Sequence, residues 1–384
     1  MGISGRIAEY FLRNSLTPLI ALIALLLGIG ATLVTPREEE PQINVTMANV
    51  FVPFPGASAR DVEALVARPA EQVLSRIAGI EHVYSVSRPG MAVITVQYEV
   101  GEDPIQALVR LYDTINSHKD WLSPNLGVLD PIVKPKGIDD VPIVSLTFHS
   151  PDAGSETAKT AFELQQVARA TEIDLKRIPG TRDVATIGGP GHVIRVVMDA
   201  DRMNAHGITA QDLKAALQVS NASQPAGALV SGNREVLVQT GTYIESAADV
   251  KRLVVGVHDR KPVYLADVAQ VVDGADQPVR YVWHGDRKGE YPAVTLSISK
   301  KPGVNAADVA EAVIARAEAL KGTVIPEGVE FTVTRNYGAT ATDKAQKLIG
   351  KLVFATAFVV LLVLFALGRR EAVIVGAAVT LTLA

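Results

Sequence analysis

Leu16 to Val34 is uninterrupted by any charged residue. At about 1.5 Å of helix per residue, a run of that length covers a hydrocarbon core of about 30 Å. A second apolar run, Leu348 to Leu367, lies near the other end, with Lys344, Lys347 and Lys351 at its start and Arg369 and Arg370 after it. Between 37 and 347 no run reaches spanning length, so the two stretches bracket a large body that must fold outside the bilayer core. The hydrophobic content of 48% fits a chain partly in lipid. The expectation is a membrane protein with α-helical transmembrane segments and a large α+β extracytoplasmic region.

Charge sets the orientation. Arg6 and Arg13, among Ile3, Ile7, Tyr10 and Phe11, read as a basic amphipathic segment on the cytoplasmic side over 1–15, ahead of a first span at 16–35. A cleaved signal peptide is the alternative, but the apolar run is long for one and Thr35-Pro36-Arg37 is a poor cleavage site. Large translocated loops escape the positive-inside rule, so the short loop Gly368 to Glu371, with its two arginines, is the better marker of the cytoplasm. The second span is placed at 348–367, and 372–384 reads as the start of a third. A chain that stops there reads as a fragment of a longer polytopic protein.

The body between the spans carries an internal repeat. Arg76-Ile77-Ala78-Gly79, followed by Val83, Pro89-Gly90, Val93 and Val96, recurs as Arg177-Ile178-Pro179-Gly180, followed by Val184, Pro190-Gly191, Ile194 and Val197, at a constant offset of 101 residues. Each copy follows a helix-patterned segment, 59–77 or 161–178, stops it at glycine and enters strands with a Pro-Gly turn. Extended, the copies are split βαββαβ units of the ferredoxin-like kind. The first uses strand 43–51, helix 59–78, hairpin 83–100, helix 104–119 and a strand near Ile132. The second begins with strand 143–148 and helix 161–177, then resumes at strand 293–299, helix 306–321 and strand 329–334. Residues 192–278 then form an inserted α+β domain with a helix at 209–219.

No enzymatic signature is present: there is no phosphate loop, nucleophile elbow, zinc-helix motif or dinucleotide fingerprint. Gly188-Gly189-Pro190-Gly191 sits between strands and reads as a hairpin turn. The seven histidines are scattered, and the absence of cysteine removes thiol chemistry. A net charge of −4 with dispersed basic residues argues against nucleic acid. Asp139-Asp140 and Asp273 to Asp276 read as solvated or helix-capping carboxylates, with calcium or acid/base sites as the alternative. Glu38-Glu39-Glu40 reads as a charged collar outside the first span. Neither complete span carries an interior acidic residue, so neither holds a proton relay.

Several motifs resemble one family along nearly the whole chain. They are Glu40-Pro41-Gln42-Ile43, Pro55-Gly56-Ala57 with Val62-Glu63, Ile80-Glu81-His82-Val83, Val100-Gly101-Glu102-Asp103, the run from Lys134 to Pro142, Ile178-Pro179-Gly180 with Asp183-Val184, and Leu265 to Ala269. This pattern is similar to the inner-membrane pump subunit of the resistance-nodulation-division (RND) efflux transporters, in their hydrophobe and amphiphile exporting, multidrug branch. The resemblance implies a first porter subdomain at 40–138, a second at 139–191 with 279–335, and half of a docking domain at 192–278. It further implies a homotrimer in the inner membrane, a periplasmic adaptor, an outer-membrane channel, and proton antiport as the energy source without a cofactor. The family's acidic relay lies in a fourth helix that this chain does not reach. Where multidrug members place pocket phenylalanines, Val141 and Ile187 stand here, and the loop 220–234 reads as shorter than the interlocking arm of those members.

The implied substrate surface is Val141, Ile143, Ala185 and Ile187, with Asp276 and Val279 at its edge, for apolar or amphiphilic ligands held by non-directional burial. The alternative for each apolar member is ordinary core packing. Two other functions compete with the pump: a protein-export accessory of the same superfamily, and an extracytoplasmic sensor.

Overall fold

The computed structural model describes all residues except 1, 3, 4, 6–8, 13, 40–42, 44, 122, 123, 152–157, 242, 288 and 384. The interfacial helix expected over 1–15 rests on Ile3, Arg6, Ile7 and Arg13, which lie outside the described residues, as do Glu40, Pro41 and Gln42 of the first family motif.

The first apolar run forms helix α1, Thr17–Val34, with Pro18 in its first turn, where a missing N–H costs nothing. A four-stranded antiparallel sheet follows. Strand β1 is Met47–Pro53. Helix α2 runs over 59–74 and widens to a π-turn at Glu63–Ala67, ahead of Pro69. Ser58 and Asp61 close its N-terminus as a reciprocal capping box. Strands β2, Ile80–Arg88, and β3, Met91–Tyr98, turn at Pro89-Gly90. Helix α3, Pro104–Ser117, capped by Asp103, leads to β4, Ile132–Lys136. The strand order is β2-β3-β1-β4. Alternation puts Val50, Val52, Ile94 and Val96 under the helices, where they pack with Val66, Leu74 and Leu111.

A second sheet begins with β5, Val144–His149, helix α4, Ala161–Leu175, and β6, Thr181–Ile187. The chain then leaves it. Strand β7, His192–Met198, helices α5, Ala200–Ala205, and α6, Ala210–Ser220, strands β8, Gln224–Ser231, and β9, Arg234–Thr240, helix α7, Ala247–Lys251, strands β10, Val254–His258, and β11, Lys261–Tyr264, helix α8, Leu265–Val268, and strand β12, Ala269–Ala275, build a unit with its own small core around Leu213, Val250, Leu265 and Val268. The chain returns through β13, Trp283–Asp286, β14, Gly289–Lys300, helix α9, Ala306–Ala319, and β15, Glu330–Asn336. The order β13-β14-β5-β15, with β6 also on β14, matches the first sheet strand for strand once β13 is set aside.

The repeat extends to individual hydrogen bonds. Gly79 and Gly180 both take positive φ, 83° and 89°, at the helix stop, and their carbonyls accept from Glu99 and Lys301, the residues that follow β3 and β14. On the helix side of each edge strand a hydroxyl donates to a helix carboxylate: Ser85 to Glu71, and Thr186 to Glu172 at 2.5 Å. These four residues obey the 101-residue offset.

Two expectations need correction. Gly188-Gly189-Pro190-Gly191 is not a hairpin turn: β6 pairs with β14 while β7 pairs with β12, so the glycines carry the chain out of one sheet into the inserted unit. The equivalent point in the first copy is a tight turn pairing Arg88 with Met91. Residues 220–234 are not merely a loop, because most of them enter the hairpin β8–β9, where Leu229, Val230 and Leu237 stand exposed.

The second apolar run lies within a 30-residue helix α10, Tyr337–Ala366, that starts where β15 ends. Asn336 caps it, the Tyr337 N–H donates to the Ile143 carbonyl at 2.8 Å, and a Cβ on Gly338 would sit 2.7 Å from the Ala307 backbone. Close α9–α10 contact therefore requires glycine there. Among the described residues α10 is the one helix long and apolar enough to cross a membrane; the apolar part of α1, Thr17–Thr32, is shorter. Arg369 and Arg370 do not form a loop, because helix α11, Arg369–Leu383, begins with them after a turn at Gly368.

Candidate functional site

Because Val144, Leu146, Phe148, Val184, Leu296 and Ile298 face the helices, the intervening residues face away from them. That outer face carries Ser145, Thr147 and His149 on β5, Thr295 and Ser297 on β14, Thr332 and Thr334 on β15, and Ala185 and Ile187 on β6. Register sets them in rows: Ala185, Ser297 and Ser145 across three strands, and Ile187, Thr295, Thr147 and Thr332 across four. The Thr147 hydroxyl bonds those of Thr295 and Thr334, each at 2.9 Å, and His149 Nε2 meets Thr332 Oγ1 at 3.1 Å. The hydroxyl-rich strip was missed from sequence, although the alternation in Ser145-Leu146-Thr147-Phe148-His149 signalled a polar second face.

The six candidate pocket residues fall into three groups. Ala185 and Ile187 share the outer face, and Ile187 is 40% exposed. Val141 and Ile143 instead line a cavity of about 40 Å³ with Glu38, Ile138, Lys300 and Tyr337, and Ile143 is buried within the second core. Drug-sized ligands need about 300 Å³ or more, so this cavity is a packing gap at a joint. Asp276 and Val279 lie on the segment leaving β12, where Asp276 is 3.6 Å from Arg195 and Val279 is 92% exposed. No single cavity joins the six among the described residues.

Charged groups build that joint. Glu38 does not act as a solvated collar: its carboxylate meets Lys300 Nζ at 2.7 Å, with 20% and 8% of the two side chains exposed. Glu39 pairs with Lys344 of α10, and the Arg37 N–H donates to Asn305, the cap of α9, at 3.3 Å. The turn after α1 is thereby tied to β14, α9 and α10. Nearby, Asp140 caps its own 3₁₀ turn by accepting from the Gly137 N–H at 2.8 Å, and Arg182 pairs with Asp140 at 3.0 Å and Asp139 at 3.7 Å. Asp273 pairs with His192 at 2.5 Å.

The described chain is thus a duplicated αβ body with a guest unit in its second copy, joined to apolar helices. The family model described as AcrB/AcrD/AcrF family matches residues 7–384, and the chain belongs to that family of RND multidrug efflux transporters. It is 27% identical over 377 residues to the protein named multidrug resistance protein MdtC in Yersinia enterocolitica serotype O:8 / biotype 1B, covering 98% of this chain and 36% of that protein. It is 28% identical over 377 residues to MdtC of Escherichia coli O1:K1 / APEC, with the same two coverages. The chain thus spans about a third of the length of the curated relatives it matches.

Proposed function

We propose that this chain is the N-terminal part of the inner-membrane permease of a proton-driven, tripartite efflux pump. In this reading the two sheets are ferredoxin-like porter subdomains, at 40–138 and at 139–191 with 279–335, and 192–278 is half of a docking domain; all are periplasmic. The spans lie at 16–35 and 348–367, and a third starts within 372–384. The observation that carries the reading is the duplicated sheet with its guest unit, joined without a break to α10 and tied by ion pairs to the turn after α1. Such a body can pass movement between bilayer and periplasm.

The substrates are apolar or amphiphilic compounds, taken from the periplasm or the outer leaflet of the membrane. An apolar groove of about 390 Å³ between α1 and α10, lined by Leu25, Ile29, Leu352 and Val353, supports entry from the leaflet. The outer face around Ala185 and Ile187 would close into a pocket when further parts of the permease cover it, with Val141, Ile143, Asp276 and Val279 toward its margins. Trimer formation is supported by the exposed apolar hairpin β8–β9, and the docking half would meet an adaptor and an outer-membrane channel. Proton coupling would reside in helices further along the permease. Reporter fusions near positions 150 and 240 test the topology: cytosolic signal from either refutes it. Dye efflux by the full permease should change its substrate profile with Ile187→Phe, and an unaltered profile for every dye removes Ile187 from the pocket.

A further inference from the structure

Strand β13 brings the chain back from the inserted unit, and its attachment is slight. It has four residues and pairs only with the first part of β14, from Trp283 opposite Pro292 to Asp286 opposite Gly289. One more backbone bond holds that end, from the Ala293 N–H to the Val282 carbonyl at 2.9 Å. A side-chain contact supplements it: the His284 ring lies flat on the His149 ring, with centroids 4.0 Å apart and planes 3° from parallel. His149 is 9% exposed and bonded to Thr332, so the stack ties β13 to β5 and β15 across the outer face.

We infer that the His149–His284 stack is an acid-released latch that holds β13, and with it the return of the inserted unit, against the second sheet. Neutral imidazoles stack face to face, whereas two imidazolium rings at this separation repel, the more so where protein displaces water. Among the described residues, the groups facing the pair are few. Glu330 lies opposite His149 on β15, Asp286 is on β13, and Tyr291 lies opposite His284 on β14. The two carboxylates favour protonation of His149, but burial first, and then the neighbouring His284, hold it below the ordinary histidine value. The sign follows: a histidine depressed in the latched state favours that state above about pH 6.5 and destabilises it as the pH falls below that value. A proton on His149 sets a cation against the face of the His284 ring, and Glu330 and Asp286 offset this only in part.

Amide hydrogen exchange on the whole chain in detergent micelles tests this. Protection factors of residues 283–286, corrected for intrinsic exchange, should fall by at least about threefold from pH 7.5 to pH 5, the direction that a histidine depressed in the latched state requires. The β1–β3 ladder serves as an unchanged reference. His284→Phe keeps a stacking ring without a titratable charge and should weaken the pH effect, and His149→Phe, which removes the depressed group itself, should abolish it. Constant wild-type protection across this range overturns the proposal whatever the variants do. An undiminished fall in both phenylalanine variants overturns it as well.

Discussion

The Glu38–Lys300 pair yields a sharp quantitative test. Lys300 ends β14 with 8% of its side chain exposed, and its partner at 2.7 Å is 20% exposed. Removing one member of a buried pair strands the other charge and costs about 3–5 kcal/mol. Glu38 keeps some contact with solvent, so Lys300→Met should fall near the lower end, about 3 kcal/mol. For a cooperative body of 150–250 residues this lowers the melting temperature by about 6–12 °C. Glu38→Gln should cost a similar amount by leaving the ammonium unpaired. The double variant Glu38→Gln/Lys300→Met leaves no stranded charge and should recover to within about 1 kcal/mol of the parent. Lys347→Met is the control: Lys347 and its partner Asp343 are 70% and 57% exposed, and a pair of that kind is worth less than about 1 kcal/mol. Thermal melts of the solubilised chain followed by circular dichroism decide the matter. Single variants within 2 °C of the parent (roughly 1 kcal/mol), or a double variant as unstable as the sum of the singles, would refute the clamp.

Two further outcomes follow from the cores. Tyr98 is fully buried and donates to the Ala107 carbonyl at 2.8 Å; burial, above all, pushes its phenol up to about 12. A raised phenol stabilises the fold below the unfolded value near pH 10 and loses that contribution as pH climbs toward 12, so Tyr98→Phe should flatten stability across that window while costing about 1 kcal/mol at neutral pH, measured by denaturant titration. Gly189 has φ of +71°, and a Cβ there would lie 2.9 Å from the Ala161 carbonyl oxygen and 2.7 Å from Gln165 Cβ, whereas one on Gly191 meets nothing within 4 Å. Gly189→Ala should therefore destabilise by about 1–3 kcal/mol in thermal melts, and Gly191→Ala should be close to neutral.

Much of the architecture was legible because it depends on local rules. Glycine at 79 and 180 ends a helix in either copy because positive φ costs it little, and the 101-residue offset carried this into the sequence pattern. The strand alternation of β3 and β5 is likewise a property of the chain read alone. The hairpin reading of Pro190-Gly191 failed because a Pro-Gly turn looks the same whether its flanking strands pair with each other or with distant partners. The helix boundary at Arg369 was missed because two arginines look like loop residues until a helix start includes them.

The candidate site was less legible for a related reason. Val141, Ile143, Ala185 and Ile187 are similar apolar residues in sequence, yet a single pleat separates a core position such as Val184 from an open one such as Ala185, and the joint around Lys300 captured Val141 and Ile143. Composition and periodicity by themselves determined the apolar helices, the duplicated strand-and-helix unit and the place of its guest, since each follows from burial and backbone preference within a short stretch. Tertiary structure alone decided that Glu38 meets Lys300 and that His149 meets His284. Such contacts join residues more than a hundred positions apart, and only the closing of the sheets brings their charges and rings within reach.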